Sequence, residues 1–254
     1  MYFNLIKIFL PTAVAFFLGL LLTPIAAHFF YKYRMWKKYS RNINVTAPDF
    51  SKIHNEKEEL KTPRVGGIII WLAISLTTLI FYLISILFPS EGSYGINFLS
   101  RNQTLIPLFT ILAGSLIGLW DDFIQIYGTG KFTRDDQSWR KWKAILVIFI
   151  SLLIGIWFFY KLGMVSFHIP FMGEVYLGIL IIPFFIIVSL ATFSGGVIDG
   201  IDGLSGGVFA SIFASYSAIA YANNQIDIAA FSAVITGAIL AFLWFNIPPA
   251  RFYM

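Results

Sequence analysis

Seven uncharged apolar runs, divided by polar stretches, set the pattern of the chain: Ile8–Tyr31, Gly66–Phe88, Asn102–Trp120, Ala144–Tyr160, Val175–Phe193, Gly203–Ala222 and Ile228–Phe245. Each is about 17 to 24 residues long, near the ~20 that an α-helix needs to cross ~30 Å of hydrocarbon. The pattern predicts an all-α fold, a polytopic transmembrane bundle of about seven spans, with residues 1–254 forming a single integral membrane domain. The first run is too long for a signal-peptide core and lacks a small-residue cleavage site before the basic segment that follows, so it counts as a span. The sixth is rich in Ser, Gly and Ala and is expected to pack against protein rather than lipid.

Composition agrees. The chain is 58% apolar and 12% charged, where a soluble domain carries roughly 25% charged residues. Cysteine is absent, which excludes disulfides and thiolate metal sites and leaves the redox compartment open.

The net charge of +5 is a topological signal once its distribution is read. Nine of the eighteen basic residues fall between Lys32 and Arg64, five between Lys131 and Lys143, and one is Arg251. Only Lys7, Arg101 and Lys161 lie on the other side of the alternation. The positive-inside rule then puts the N-terminus outside and the first, third, fifth and seventh connections in the cytoplasm. This asymmetry accounts for the charge without nucleic acid. The segment from Lys32 to Arg64 is too short for a domain and reads as an interfacial or loop element, with Tyr33, Trp36 and Tyr39 suited to the headgroup region.

Four elements fall on that cytoplasmic face. Lys61-Thr62-Pro63-Arg64-Val65-Gly66-Gly67 opens the second span, and Asp121-Asp122 closes the third. Asp199-Gly200-Ile201-Asp202-Gly203 joins the fifth to the sixth, and Asn246-Ile247-Pro248-Pro249-Ala250-Arg251 follows the seventh. The aspartates took no part in fixing the topology, so their convergence is independent of it. An Asp at a helix centre costs about 2.5–3.5 kcal/mol on insertion scales, so these are expected in loops lining a wet cavity at the membrane surface. Like charges gathered there repel one another and invite a hard cation such as Mg²⁺, held by one or two carboxylates and substrate phosphate oxygens. On a helix, Asp199 and Asp202 would share a face, and the glycines around them allow backbone N–H groups to approach an anion. Adjacent Asp121 and Asp122 cannot point the same way, so at most one is directly catalytic while the other binds metal or a basic partner. Taken singly, each element has an ordinary reading: a solvated helix end, Asp-Gly turns, a Pro-Pro stop signal. Asp135 and Asp136 read as a solvated loop, His28 and His168 as structural, and His54 as a weak candidate for a phosphate contact.

In this order and at these span positions, T-P-x-x-G-G, D-D-[FY], D-G-[IL]-D-G-L and F-L-W-F-N-x-P-P-A resemble the polyprenyl-phosphate N-acetylhexosamine-1-phosphate transferases. That superfamily includes the phospho-N-acetylmuramoyl-pentapeptide transferases and the enzymes that load N-acetylglucosamine-1-phosphate onto undecaprenyl phosphate. The resemblance covers Pro63 to the last residue. It implies a multi-pass enzyme of the bacterial plasma membrane with a cytoplasmic active face. The implied reaction is Mg²⁺-dependent transfer from a UDP-aminosugar to a polyprenyl phosphate, releasing UMP. It also implies roles: Asp121 as base or lipid-phosphate contact with Asp122 beside it, Asp199 and Asp202 at the nucleotide and metal, and Asn246 at the nucleotide. Lys61 and Thr62 fall to substrate binding, and Lys131, Arg140 and Lys141 are further phosphate candidates. Some members of the family dimerise, which makes a homodimer an expectation although no interface signal stands out.

Three departures bear on this. Gly196 stands where the family has Asn before D-G-x-D-G, and Gln125 stands where the muramoyl-pentapeptide branch has Lys. The chain also stops at Phe252-Tyr253-Met254, where the family continues with Gly-Asp, a principal Mg²⁺ ligand, and three more spans. By that comparison it reads as the first seven of about ten spans and is expected to be inactive by itself. The competing classes are a cation-coupled transporter, whose carboxylates would sit nearer the bilayer midplane, and a non-catalytic membrane remnant.

Overall fold

The structure is a computed structural model. It describes residues 2–36, 62–100, 103–127, 137–169, 171–194, 203–248 and 250–253, the side chains of residues 125 and 137–140 excepted. The chain divides into two compact units, Met1–Tyr127 with Asp199–Met254, and Gly128–Ile198.

The first unit holds α1 (Tyr2–Lys32), α2 (Gly67–Leu87), the short α3 (Glu91–Ile96), α4 (Leu105–Tyr127), α7 (Leu204–Ala222) and α8 (Ile226–Asn246). The second holds α5 (Gln137–Leu162), the antiparallel pair β1 (Ser166–Ile169) and β2 (Gly173–Tyr176), a 3₁₀ turn (Gly178–Leu180) and α6 (Ile181–Ser194). Six of these helices, α1, α2, α4, α5, α7 and α8, are long and apolar enough to cross a membrane. The protein is therefore an all-α polytopic bundle.

The fifth predicted run differs in detail. Its first residues, Val175 and Tyr176, belong to β2, and the apolar helix there is the shorter stretch Gly178–Ser194. Hydropathy alone cannot separate an apolar strand from the start of an apolar helix. Gly173 and Gly178, both at positive φ, bracket the strand and delay the helix.

Helix α8 is the centre of the first unit. Two-thirds of its apolar window is buried, against about a quarter for α7, so the seventh run is the most deeply packed one. The cause is its face of small residues. Ala229, Ala230, Ala238 and Ala241 are all fully buried, and such residues let helix backbones approach closely. At Gly19 a Cβ would stand 2.6 Å from Ala241 Cβ, and at Gly237 one would stand 2.5 Å from the Thr12 carbonyl oxygen. Helix α7 packs on α8 through Ser205, Gly206, Ala210 and Ala220, and Ser217 Oγ donates to the Ala229 carbonyl at 2.8 Å.

Helices α1 and α8 run parallel. Near their starts Lys7 and Asp227 form an ion pair at 2.6 Å, both partly shielded, and near their ends Phe30 and Phe242 share one buried cluster. Arg64 N–H donates to the Met35 carbonyl at 3.0 Å, which joins the residues after α1 to those before α2.

The α1–α8 crossing yields a paired prediction. Gly237→Ala drives a methyl into backbone and is expected to destabilise the protein by about 1–3 kcal/mol. Gly114→Ala, in α4 where a Cβ meets nothing within 4 Å, is expected to be neutral or stabilising by up to about 1 kcal/mol. Thermal denaturation of the two variants in detergent checks both.

Candidate functional site

The four sequence elements reach, through their described residues, one end of the first unit. The focus is Phe252, which is fully buried and packs with Phe30, Val65, Ile69, Ile126 and Phe242. Its ring lies 5.6 Å from that of Phe242, 6.1 Å from Phe245 and 6.4 Å from Phe30. The cluster thus joins the end of α1, the start of α2, the end of α4 and the end of α8.

Backbone hydrogen bonds pin the segment after α8 onto the start of α2. Tyr253 N–H donates to the Pro63 carbonyl at 2.8 Å, and Gly66 N–H donates to the Tyr253 carbonyl at 2.9 Å. Gly66 must be glycine for this, since a Cβ would lie 2.5 Å from the Tyr253 oxygen and 2.6 Å from the Phe252 ring. Thr62 and Pro63 are buried beside this junction, and Arg64 is half-buried with its guanidinium 5.8 Å from the Tyr253 ring centre.

Asn246 links the third element to the fourth. It is the last residue of α8 and is buried. Its Oδ1 accepts from Gly203 N–H at 3.0 Å, and its Nδ2 donates to the Phe252 carbonyl at 2.9 Å. Gly203 is the residue after Asp202 and caps α7 with φ +78°, a left-handed conformation that costs residues with a Cβ about 1–2 kcal/mol. One amide therefore holds the entry to α7 and the exit from α8 together. Sequence reading put Asn246 at the nucleotide, and the structure gives its side chain two backbone partners.

The Asp121–Asp122 pair lies within α4, not in a loop as expected. The helix runs nearly two turns beyond Trp120, where the uncharged run ends, because hydropathy marks the edge of the apolar stretch rather than the end of the hydrogen-bonded helix. The bundle-facing stripe of α4 passes through Leu108 and Ile111, packed on the central core, then Leu119 and Ile126, packed on the Phe252 cluster. Asp122 stands three residues after Leu119 and four before Ile126, on that same face. Asp121 is turned about 100° away from it. Both are half-buried, and both make interactions.

The described residues at this end are rich in cations. Arg251 lies with its guanidinium 5.7 Å from the Phe245 ring centre, and Lys32 with its ammonium 5.7 Å from that of Tyr33. The Arg251 carbonyl accepts from the Tyr31 hydroxyl at 2.8 Å. Lys61, Lys131, Asp199 and Asp202 lie outside the described residues, as do His54, Asp135 and Asp136. Lys141 is exposed in the second unit. Among the described residues no group of three or more His, Cys, Asp or Glu could hold a metal ion. Sequence reading missed Phe252, Tyr253 and Phe30 as organisers of the site. The only signal was the position of Phe252 and Tyr253 just past the Pro-Pro motif.

Comparison with known proteins gives the same assignment from another direction. Residues 104–254 match glycosyl transferase family 4. The chain is 30% identical over 253 residues to the phospho-N-acetylmuramoyl-pentapeptide-transferase of Clostridium beijerinckii, an alignment covering 98% of this chain and 68% of that protein. Against the Anoxybacillus flavithermus protein of the same name the figures are 30% over 253 residues, 98% and 70%. Against that of Clostridium botulinum they are 28% over 220 residues, 85% and 60%. The chain thus spans from three-fifths to seven-tenths of the length of these relatives. With its motifs gathered at one end of a membrane bundle and more than half of its length matched, the chain belongs to glycosyl transferase family 4.

Proposed function

We propose that the protein acts in cell-wall synthesis at the cytoplasmic face of the bacterial plasma membrane. The reaction is transfer of a phospho-N-acetylhexosamine from a UDP-sugar to a polyprenyl phosphate. The observation that carries this reading is the meeting of Thr62–Gly66, the Asp122 face of α4, Gly203 and Asn246 around Phe252. Such a meeting puts carboxylates, backbone donors and cations together at the end of a lipid-embedded bundle, where a lipid phosphate and a water-soluble nucleotide can both arrive. The names of the relatives favour N-acetylmuramoyl-pentapeptide as the sugar, with N-acetylglucosamine as the alternative donor to be tried beside it.

In this reaction an oxygen of the lipid phosphate attacks the sugar-proximal phosphorus. The new P–O bond forms as the bond to the UMP oxygen breaks, and UMP leaves. Asp121, turned off the packed stripe, takes the proton from the lipid phosphate or orients it. Asp122, on the packed stripe, positions it through the cluster. Mg²⁺ would be held by Asp199 and Asp202, an all-oxygen donor set suited to this hard ion, and would neutralise charge on the pyrophosphate. Asn246 holds Gly203 and so the start of α7. Phosphoryl transfer depends mainly on positioning and charge neutralisation, which is the work assigned to these residues.

The experiment is a UMP-release assay on the complete gene product in lipid, with UDP-N-acetylmuramoyl-pentapeptide and undecaprenyl phosphate. Release that needs the lipid phosphate and is abolished by chelator supports the reading. Cation-driven solute uptake without UMP release would sink it in favour of a transporter.

Asp121→Asn is expected to lower kcat by about 10²–10⁴-fold, the usual range for a proton-transfer group, with thermal stability unchanged. Asp122→Asn is expected to lower both, as a residue on a packed face should.

Asn246→Ala leaves Gly203 N–H and the Phe252 carbonyl without this partner and is expected to cost about 2–4 kcal/mol of stability, read from denaturation without nucleotide. A raised KM for the UDP-sugar at unchanged stability would instead make Asn246 a nucleotide contact.

A further inference from the structure

The hairpin between α5 and α6 has two unlike faces. In its register Phe167 pairs with Val175 and Ile169 with Gly173, while Ser166 pairs with Tyr176 and His168 with Glu174. Alternation along a strand puts the first set on one side and the second on the other. The sides differ in burial as in chemistry, for Phe167, Ile169 and Val175 are half-buried and His168, Glu174 and Tyr176 exposed. Across the polar side the Ser166 hydroxyl donates to Glu174 Oε2 at 2.7 Å.

The apolar side is laid on α6. The Phe167 ring stacks on that of Phe184, centroids 4.7 Å apart and planes 12° from parallel. Phe184 lies one turn inside the helix that starts at Ile181. At the base, Leu177 and Gly178 N–H both donate to the Val165 carbonyl at 2.9 Å, so the hairpin starts and ends at the span termini. A strand two residues from its base that touches the first turn of α6 is folded over the end of that helix, not raised from it.

The tip is the unexplained part. Phe171 is fully exposed (108%) and Met172 nearly so (78%). Phe171 also sits at φ +70°, a conformation that suits Gly or Asn and is unfavourable for an aromatic residue. Both the ring's exposure and its backbone cost free energy in water, and no ring partner for Phe171 occurs among the described residues. Tyr160 at the end of α5 (72%) and Tyr176 (75%) are exposed at the same end of this unit. Aromatic residues at span ends are what the headgroup region selects.

We propose that this hairpin is an interfacial anchor whose tip, Phe171 and Met172, seats in the headgroup–acyl boundary of the outer leaflet and fixes the depth of α5 and α6. The occupant is lipid, because the tip lies beside the exposed apolar surfaces of the membrane-spanning α5 and the shorter apolar α6, and its strands, about 13 Å long, stay within reach of the interface. The leaflet rests on the inside–outside assignment from the basic loops, whereas the lipid seat rests on the hairpin alone.

The chain has no cysteine, so single-cysteine variants report without background. Met172→Cys and Glu174→Cys carry a nitroxide in liposomes of phosphatidylethanolamine and phosphatidylglycerol. The ratio of oxygen to nickel-chelate accessibility is expected to be several-fold higher at Met172→Cys than at Glu174→Cys. Equal, water-like ratios overturn the proposal. Low accessibility to both reagents at Met172→Cys, with spin–spin broadening, overturns it in favour of a second copy covering the tip. Glu174→Cys is expected to react with an impermeant maleimide on intact cells. Reaction only after permeabilisation overturns the outer-leaflet assignment, and the nitroxide ratios still judge the lipid seat, so the two failures are told apart.

Discussion

Where α8 ends, the backbone leaves a helix deep among apolar side chains, and its freed polar groups have to be paired inside the protein. Asn246 meets that constraint. Its Oδ1 accepts a hydrogen bond from Gly203 N–H and its Nδ2 donates one to the Phe252 carbonyl, so the chain can turn without leaving these two groups unpaired. With the turn secured, Phe252 enters the cluster and Tyr253 pairs on both its backbone groups with Pro63 and Gly66. Remove the amide and four segments distant in sequence lose their common reference point. An unpaired polar group in apolar surroundings costs several kcal/mol, which makes this junction all-or-none in character.

The same economy explains the small residues on α8. Helices in lipid gain little from hiding apolar surface, because the tails are as apolar as the side chains. They associate through close packing and local hydrogen bonds. Gly19 against Ala241 and Gly237 against Thr12 bring α1 and α8 near enough for both. The ends of these two helices then carry Phe30 and Phe252 to one place. A closely packed pair holds the groups at its ends in fixed relative positions.

Polar residues are distributed to suit this arrangement. At the opposite end from the cluster, Lys7 and Asp227 form an ion pair and Ser90 and Ser93 cap α3 reciprocally. At the cluster end the described cations lean on aromatic rings, Arg64 on Tyr253 and Arg251 on Phe245. A ring face attracts a guanidinium and helps to fix its position.

The amino-acid sequence by itself determined that the chain is a polytopic helical membrane protein and to which family it belongs. Those properties are sums over local residues: apolar runs of sufficient length and motifs read in order. Tertiary structure alone decided which span is central, which face of α4 carries Asp122, where β2 displaces the start of the fifth helix, and which groups Asn246 binds. Each of these depends on a partner far away in sequence. Thr12 opposite Gly237, Phe252 beside Phe30 and Gly203 against Asn246 leave no periodic trace, because a backbone carbonyl or amide can pair with any residue that the fold brings to it.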